Sequence, residues 1–243
     1  MKSTPFKATG CFFLTDQGPG LGALLMAGLL LAAGRSVGGG VPVELQATNS
    51  AGGAVARKAA GNGITVAVCL RPYVWTSRDG ECWVERQTGN VSLLHDVAFG
   101  SGTFVAVGNE GALVTSRDGV SWKPGYSRTD ERLRGIVFGS EKFVAVGYAG
   151  SVITSKDGVR WTAQKSGTEE CLHAIAFGHG TFVAVGRNGV SLISRDGKKW
   201  SREPSGVSVR LERIEYREGK FIASNAAGTT VVVSADGRKW AAR

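Results

Sequence analysis

From about residue 60 onward, short apolar runs alternate with glycine-containing polar gaps. Runs such as Thr103–Gly108 (TFVAVG) lack the apolar–polar alternation of a half-exposed strand. Continuous apolar character over so few residues predicts strands that are buried on both faces. The gaps between the runs carry the glycine that tight turns require. The pattern therefore predicts an all-β chain made of many short strands.

The same unit occurs five times along the chain. Its most constant part is Ser-x-Asp-Gly-x-x-Trp, and upstream of it Phe-Val-Ala-Val-Gly recurs unchanged from Phe104, Phe143 and Phe182. Successive box tryptophans lie 39, 39, 39 and 40 residues apart, a regularity that chance does not produce. The aspartates and tryptophans of the boxes are Asp79 and Trp83, Asp118 and Trp122, Asp157 and Trp161, Asp196 and Trp200, and Asp236 and Trp240.

Each unit predicts four short antiparallel strands, with the fourth beginning near the box tryptophan. Four strands in about 40 residues is the pattern of a propeller blade. One such sheet cannot bury both of its faces, so neighbouring units must pack on each other. We therefore predict an all-β fold, a five-bladed β-propeller of four-stranded antiparallel sheets. Residues 41–46 (VPVELQ) are a candidate ring-closing strand for the last blade, and the alternatives are an open arc or a ring completed by a second chain.

The box has a direct physical role in a turn. Its Asp and Ser oxygens are suited to accept hydrogen bonds from the turn's backbone amides, its Gly tolerates a positive φ, and its Trp is expected to fold back as an apolar plug. The motif resembles the Asp-box, or bacterial neuraminidase repeat, found in sialidases, sortilin-type receptors and photosystem II assembly factors. This resemblance covers about residues 60–243 and implies a propeller with the box between the third and fourth strands. We expect buried carboxylates and plugs at all five boxes, with a structural role.

The N-terminal region differs from the repeats. Residues 21–33 form an uncharged apolar run that ends at Ala-Ala-Gly, and 13 residues are too few to span a bilayer as a helix. We therefore predict a signal peptide or N-terminal hydrophobic segment at 1–34, a linker with the possible ring-closing strand at 35–50, and the propeller at 51–243. An extracytoplasmic location follows if the segment is an export signal, and membrane anchoring follows if it is not cleaved.

The net charge of +9 is spread over all the repeats, without a run of five or six basic residues. Such a surface favours acidic partners through long-range attraction but does not name one. No nucleic-acid partner and no membrane span are expected. The three histidines and four cysteines show no metal-ligand spacing, so neither a metal nor a cofactor is expected.

Candidate ligand-binding residues come from two sets of positions. The residue after the repeated Leu of the first strand is polar in successive units, which predicts a polar ring at the mouth of the central channel. The loops between second and third strands differ between copies while the strands do not, as a ligand-binding surface would. From the ring and the loops the candidates are His95, Arg134, His173 and Glu212, together with Arg71, Tyr73, Tyr148 and Arg187.

The function favoured by these features is an exported non-catalytic binding or scaffolding propeller for a glycan or protein partner, with no catalytic residue assigned. One alternative is a glycoside hydrolase of the Asp-box, sialidase-like type, which requires two carboxylates about 5–10 Å apart. A second alternative is an intracellular protein-interaction propeller. Candidate carboxylates for the enzyme are Glu110, Asp130, Glu131, Glu169, Glu170 and Glu212.

Overall fold

The computed structural model describes residues 57–89 and 91–242. The signal-like segment at 1–34 and the linker with its candidate ring-closing strand at 35–50 lie outside the described residues. The described part contains twenty strands and three short 3-10 turns. No helix among the described residues has the length and apolar character needed to cross a membrane.

The strands form five separate four-stranded antiparallel sheets, which confirms the predicted five-bladed β-propeller. Strand order within each sheet follows the chain, and the first strands of consecutive blades lie side by side. The strands are β1 Arg57–Gly61, β2 Ile64–Val68, β3 Tyr73–Ser77, β4 Val84–Gln87, β5 Leu94–Gly100, β6 Thr103–Gly108, β7 Leu113–Ser116, β8 Lys123–Pro124, β9 Leu133–Gly139, β10 Lys142–Gly147, β11 Val152–Ser155, β12 Thr162–Gln164, β13 Leu172–Gly178, β14 Thr181–Gly186, β15 Val190–Ser194, β16 Ser201–Pro204, β17 Arg213–Arg217, β18 Lys220–Ser224, β19 Val231–Ser234 and β20 Ala241–Ala242.

The hydrophobic core lies between blades. The repeated Phe of the second strand (Phe104, Phe143, Phe182 and Phe221) has an exposed fraction of 0% in every case. Each of these rings packs in a cluster with the second strand of the preceding blade, as Phe143 does with Val105. Burying such a side chain contributes about 1.5–3 kcal/mol. The uniform apolar character of the second strands therefore reflects burial against a neighbouring blade on each face.

The five boxes form the same turn. In the third blade the Asp157 carboxylate accepts hydrogen bonds from the Ser155 hydroxyl (3.0 Å) and from the amides of Val159 (2.9 Å) and Arg160 (2.8 Å). The Trp161 indole N–H donates to the Gly158 carbonyl at 2.9 Å. The other four boxes repeat these contacts, and all five box glycines have φ between 70° and 80°. The expected turn chemistry is confirmed.

One expectation about the boxes was wrong. The box aspartates are exposed, whereas the box serines are buried and the tryptophans are buried or half-buried. The carboxylate is held in place without being buried, because one of its oxygens accepts hydrogen bonds from the serine hydroxyl and from two backbone amides. The apolar contribution comes from the tryptophan and from the box glycine, which lies against the preceding blade: a Cβ on Gly158 would approach Val105 of the second blade to 2.7 Å.

The box carboxylates predict an acid-dependent loss of stability. Hydrogen bonds, first the one from the Ser121 amide, lower the pKa of Asp118 to about 2 from its ordinary 3.8. Asp118 therefore stabilises the fold fully above about pH 4, and this contribution is lost as the pH falls towards 2. We expect Asp118→Asn to lower the unfolding free energy by about 1 kcal/mol at pH 7, because the exposed carboxylate is partly screened. The difference from wild type should shrink at pH 2–3 in urea unfolding, and a difference that does not depend on pH would contradict this account.

Candidate functional site

The first strands of all five blades surround one central cavity with a volume of about 880 Å³. The lining combines eight charged or imidazole side chains with a larger number of apolar ones. Its cations are Arg57, Lys58, Arg134 and Arg213, its carboxylates are Asp96 and Glu212, and its histidines are His95 and His173. All four residues of the predicted polar ring therefore line this cavity.

Three of these ring residues occupy β-bulges. The pairing of β5 with β6 passes from Leu94 opposite Gly108 to Asp96 opposite Val107, so His95 is an extra residue in its strand. The same shift leaves Arg134 extra in β9 and His173 extra in β13. A bulge bends the strand and redirects the side chain of the added residue. The repeated bulge therefore explains how residues of a buried strand come to line the cavity.

Glycine at the end of the second strand makes each bulge possible. A Cβ on Gly108 would lie 2.1 Å from the Leu93 carbonyl oxygen, and Gly147 and Gly186 meet the Arg132 and Cys171 carbonyls in the same way. No side chain fits at that distance. The last blade has Asn225 at this position, and its first strand, β17, pairs with β18 without a shift.

His95 and Arg134 are neighbours across the first of these bulges. His95 Nε2 lies 2.6 Å from the Asn109 side-chain oxygen, and His95 Nδ1 lies 3.4 Å from an Arg134 guanidinium nitrogen. Burial first, then the charges of Arg134 and Arg132, lower the pKa of His95, although the bond to Asn109 opposes this. His95 is therefore neutral at pH 7 and holds Asn109 and Arg134 together.

His173 and Arg134 present buried polar atoms without a partner. The exposed fraction of His173 is 4%, and neither of its ring nitrogens makes a hydrogen bond to the described residues. Arg134 Nε is likewise buried and without a partner in this part of the chain. Burial, followed by the charges of Arg210 and Arg134, lowers the pKa of His173 to about 4. Buried donors that lack partners cost about 1–3 kcal/mol each, so this arrangement favours an acceptor from outside the chain.

Asp96, next to His95 in the cavity lining, links the second and third blades by hydrogen bonds. Its carboxylate accepts hydrogen bonds from the Val97 amide (2.9 Å) and from the Ile136 amide of the next blade (3.0 Å). Part of the residue faces the cavity, but burial is the largest influence on the carboxyl group. It raises the pKa of Asp96 to about 6, against opposing effects of Arg57 and the two amides.

The predicted loop residues lie outside the cavity lining. Arg71 and Arg187 are exposed at the loops between second and third strands. Tyr148 lies beside the mouth, where its ring contacts His173 edge-on at 6.1 Å between centroids and lies under the Arg132 guanidinium at 5.0 Å. Tyr73 packs instead against Trp75, on the face of the first blade that points away from the second blade. The sequence predicted both tyrosines as ligand-binding residues, and the structure places Tyr148 beside the site and Tyr73 away from it.

Two arginines at the mouth were missed by the sequence interpretation. Arg132 donates to the Tyr148 hydroxyl at 3.3 Å, and Arg210 forms an ion pair with Glu212 at 2.7 Å. Arg132 and Arg210 each directly precede the repeated Leu of a first strand. The repeat alignment that identified the polar ring could therefore have identified these two arginines as well. With Glu212 paired and Asp96 held by amides, the cationic groups outnumber the free anionic ones.

Most of the candidate carboxylates for a glycosidase lie away from the cavity. Glu110 accepts a hydrogen bond from Ser92 at 3.0 Å, and Glu170 accepts one from Asn188 at 3.0 Å, both on the outer loops. Of the six candidate carboxylates for a glycosidase, Glu212 alone lines the described cavity. No group of three or more His, Cys, Asp or Glu side chains suited to a metal occurs among residues 57–89 and 91–242.

Comparison with known proteins supports the fold. No protein-family model matches the chain, and no curated protein matches it. Among solved structures, the computationally designed Ika8 protein is similar with a TM-score of 0.59 and 12% identity, over 77% of this chain and 61% of that one. A chain of the nidogen–laminin complex has a TM-score of 0.60 and 10% identity, over 74% and 76% of the two chains. YCF48 bound to D1 peptide has a TM-score of 0.57 and 17% identity, over 76% and 65%.

These similarities define the class of fold and no more. At 10–17% identity they show a shared β-propeller architecture. The chain spans less than two thirds of the length of both Ika8 and YCF48. The comparison therefore carries over the fold, and not the activities or partners of those proteins.

Proposed function

We propose that this protein is an exported, non-catalytic binding propeller of the Asp-box type, which holds a protein partner at the mouth of its central cavity through an anionic group of that partner. The observation that carries the proposal is the pair of buried, unpartnered groups, Arg134 Nε and the His173 ring, at one end of a cationic cavity. An oxyanion supplies the acceptors that these groups lack.

A carboxylate suits this mouth better than a neutral group does. Arg134 is already close to His95, and Arg132 and Arg210 add positive charge beside it. Burial lowers the pKa of both Arg134 and His173, which means that the cavity penalises positive charge without a counter-charge. An anion relieves that penalty and so gains more here than it would at an exposed arginine.

A protein partner is favoured over other sources of anions by two further facts. The structural neighbour YCF48 is described as bound to D1 peptide, which shows that a related fold accepts a peptide. The exposed loops around the mouth differ in sequence between blades while the strands repeat, so they offer a varied surface for reading a partner. An anionic glycan shares the carboxylate chemistry and is the competing ligand in the test.

The direct test is binding of the full chain to fluorescein-labelled acidic decapeptides with a free C-terminal carboxylate, measured by fluorescence anisotropy beside an array of uronic-acid and sialic-acid glycans. We expect peptide binding that weakens at least tenfold in Arg134→Gln and in His173→Gln, because hydrogen bonds to charged groups contribute about 1.5–3 kcal/mol. The His173 pKa, followed by NMR, should rise from about 4 when the anion binds.

Arg160→Gln is the matched control, because Arg160 is exposed in the box turn of the third blade and lies outside the cavity lining. It should change affinity less than twofold. Equal losses in all three variants would indicate non-specific attraction by the basic surface and would contradict a defined site. Binding of glycans without peptides would replace the protein partner by a glycan, and hydrolysis of the bound sugar would overturn the non-catalytic assignment.

A further inference from the structure

Four loops lead from the fourth strand of one blade to the first strand of the next, and each ends beside a residue of the polar ring at the cavity mouth. Backbone hydrogen bonds hold these loops in place. The carbonyls of Glu131 and Glu170 accept bonds from the amides of Gly111 (3.0 Å) and Gly150 (3.1 Å), which belong to turns between second and third strands. Because the loops are already ordered, a partner that binds them loses less entropy.

Two adjacent positions in these loops differ in chemistry from one side of the mouth to the other. They lie four and three residues before the ring residue. In the second and third loops both positions are acidic, whereas in the first and fourth loops they combine a valine with a serine. In chain order the pairs are Val91 and Ser92, Asp130 and Glu131, Glu169 and Glu170, and Ser208 and Val209.

The acidic positions form one side of the rim, which we call the acidic arc: Asp130, Glu131, Glu169 and Glu170. The first three are exposed, and Glu170 is half-buried. Among the described residues, no ion pair involves any member of the acidic arc. The acidic arc therefore offers carboxylates to a cation supplied by a partner, at the edge of a mouth whose centre is cationic.

The other side of the rim carries aliphatic side chains, which we call the apolar arc. Its exposed fractions are 39% for Leu70, 91% for Val91, 39% for Leu93 and 40% for Val209. Leu70 also lines the cavity, and its φ of 52° is a left-handed conformation that leucine rarely adopts. Backbone strain of this kind is common at binding sites. Contact with an apolar side chain would remove this surface from water.

Between the two arcs lie the buried groups that lack a partner, Arg134 Nε and the His173 ring. The mouth therefore combines three chemistries: an anion site at the centre, carboxylates on one side and aliphatic groups on the other. A partner that is anionic along its whole length would bring like charge onto the acidic arc. A uronic-acid glycan offers neither a cation nor a large apolar group.

We propose that the partner is a peptide segment that crosses the mouth with one carboxylate at Arg134 and His173, a basic residue over the acidic arc and a large apolar residue over the apolar arc. This inference rests on the proposed function and names the class of peptide that the site selects. The carboxylate supplies the acceptor that the buried groups lack. The two flanking residues discriminate between peptides that share this carboxylate.

Binding of labelled peptides to the full chain tests the inference by fluorescence anisotropy. The probes are C-terminally amidated decapeptides with one central glutamate, two leucines on one side and two lysines on the other, made in both orders because a peptide can cross the mouth in either direction. We expect replacement of both lysines by glutamine, or of both leucines by serine, to weaken binding about threefold or more. Replacement of the central glutamate by glutamine should weaken binding at least tenfold, as Arg134→Gln does.

Variants of the acidic arc test the lysine preference. Glu131→Gln with Glu169→Gln should abolish the difference in affinity between the lysine and glutamine peptides while the leucine preference remains. The matched control is Glu81→Gln with Glu141→Gln, which makes the same change of charge at exposed positions in turns at the other end of the blades. Equal loss of the lysine preference in both variants would reflect net charge alone and would overturn the role of the acidic arc.

Variants of the apolar arc test the leucine preference in the same way. Val91→Ser with Leu93→Ser should abolish the difference in affinity between the leucine and serine peptides. The control is Val120→Ser with Val159→Ser, at exposed positions of two box turns. All four double variants should keep the wild-type circular dichroism spectrum. A leucine preference that survives in Val91→Ser with Leu93→Ser would overturn the role of the apolar arc.

The central glutamate separates this inference from the proposed function. Binding that requires this glutamate and Arg134, yet is indifferent to the lysines and leucines, would overturn the inference and leave the proposed function standing. Failure of every carboxylate-bearing peptide to bind, including those with a free C-terminus, would overturn both. Tighter binding of the glutamine peptide than of the lysine peptide would show that the acidic arc does not face the partner, and would also overturn the inference.

Discussion

Replacement of Trp161 by alanine is expected to lower the unfolding free energy by about 3–5 kcal/mol. Trp161 is 2% exposed, and its ring lies 6.3 Å from that of Phe143 in a cluster that includes Val105 of the preceding blade. Alanine would leave a cavity at a junction between two blades, and the Gly158 carbonyl would lose its indole donor. Both effects act on the same junction.

Urea unfolding followed by tryptophan fluorescence and circular dichroism measures this loss. Trp161→Phe is the matched variant, because it keeps most of the apolar volume and removes the indole hydrogen bond. We expect it to cost about 1–2 kcal/mol, from a lost hydrogen bond and some lost contact area. A loss below about 1 kcal/mol for Trp161→Ala would mean that the box tryptophan covers the turn without supporting the junction.

The fold was predictable because the repeat constrains it at every level. Five boxes at nearly constant spacing determine blade number, and the apolar runs between them determine strands buried on both faces. The position of the boxes between third and fourth strands followed from the resemblance. The motif did not predict that carboxylates such as Asp157 are exposed. Burial of a box residue depends on how the neighbouring blade packs against it, and the motif alone does not determine that packing.

The candidate site was predictable in part, and the division has a physical cause. His95, Arg134 and His173 were identified by their position after the repeated Leu, and the structure places all three in bulges at the cavity. Tyr73 was placed on the ligand-binding face, yet it lies beside Trp75. Alternation along a strand sends Tyr73 and Trp75 to one side of the sheet, and that side points away from the second blade and from the cavity lining.

Replacement of Gly139 by alanine is expected to cost about 1–3 kcal/mol or more, since the added Cβ would lie 2.2 Å from Cγ of Phe177. The ring cannot retreat without leaving the cluster that it shares with Phe182 at the same junction. Phe177→Ala alone loses contact area but removes the obstacle. The double variant should therefore be more stable than the sum of the single effects by about 1 kcal/mol or more.

Denaturant unfolding of the four proteins in this cycle gives the coupling. Gly102→Ala is the control glycine, because its Cβ would meet open space while its φ of 70° penalises any side chain. Its cost should be unchanged by Phe177→Ala. A positive coupling at Gly139 with none at Gly102 would show that aromatic and glycine residues at a junction constrain each other's size. Additive effects at Gly139 and Phe177 would contradict this constraint.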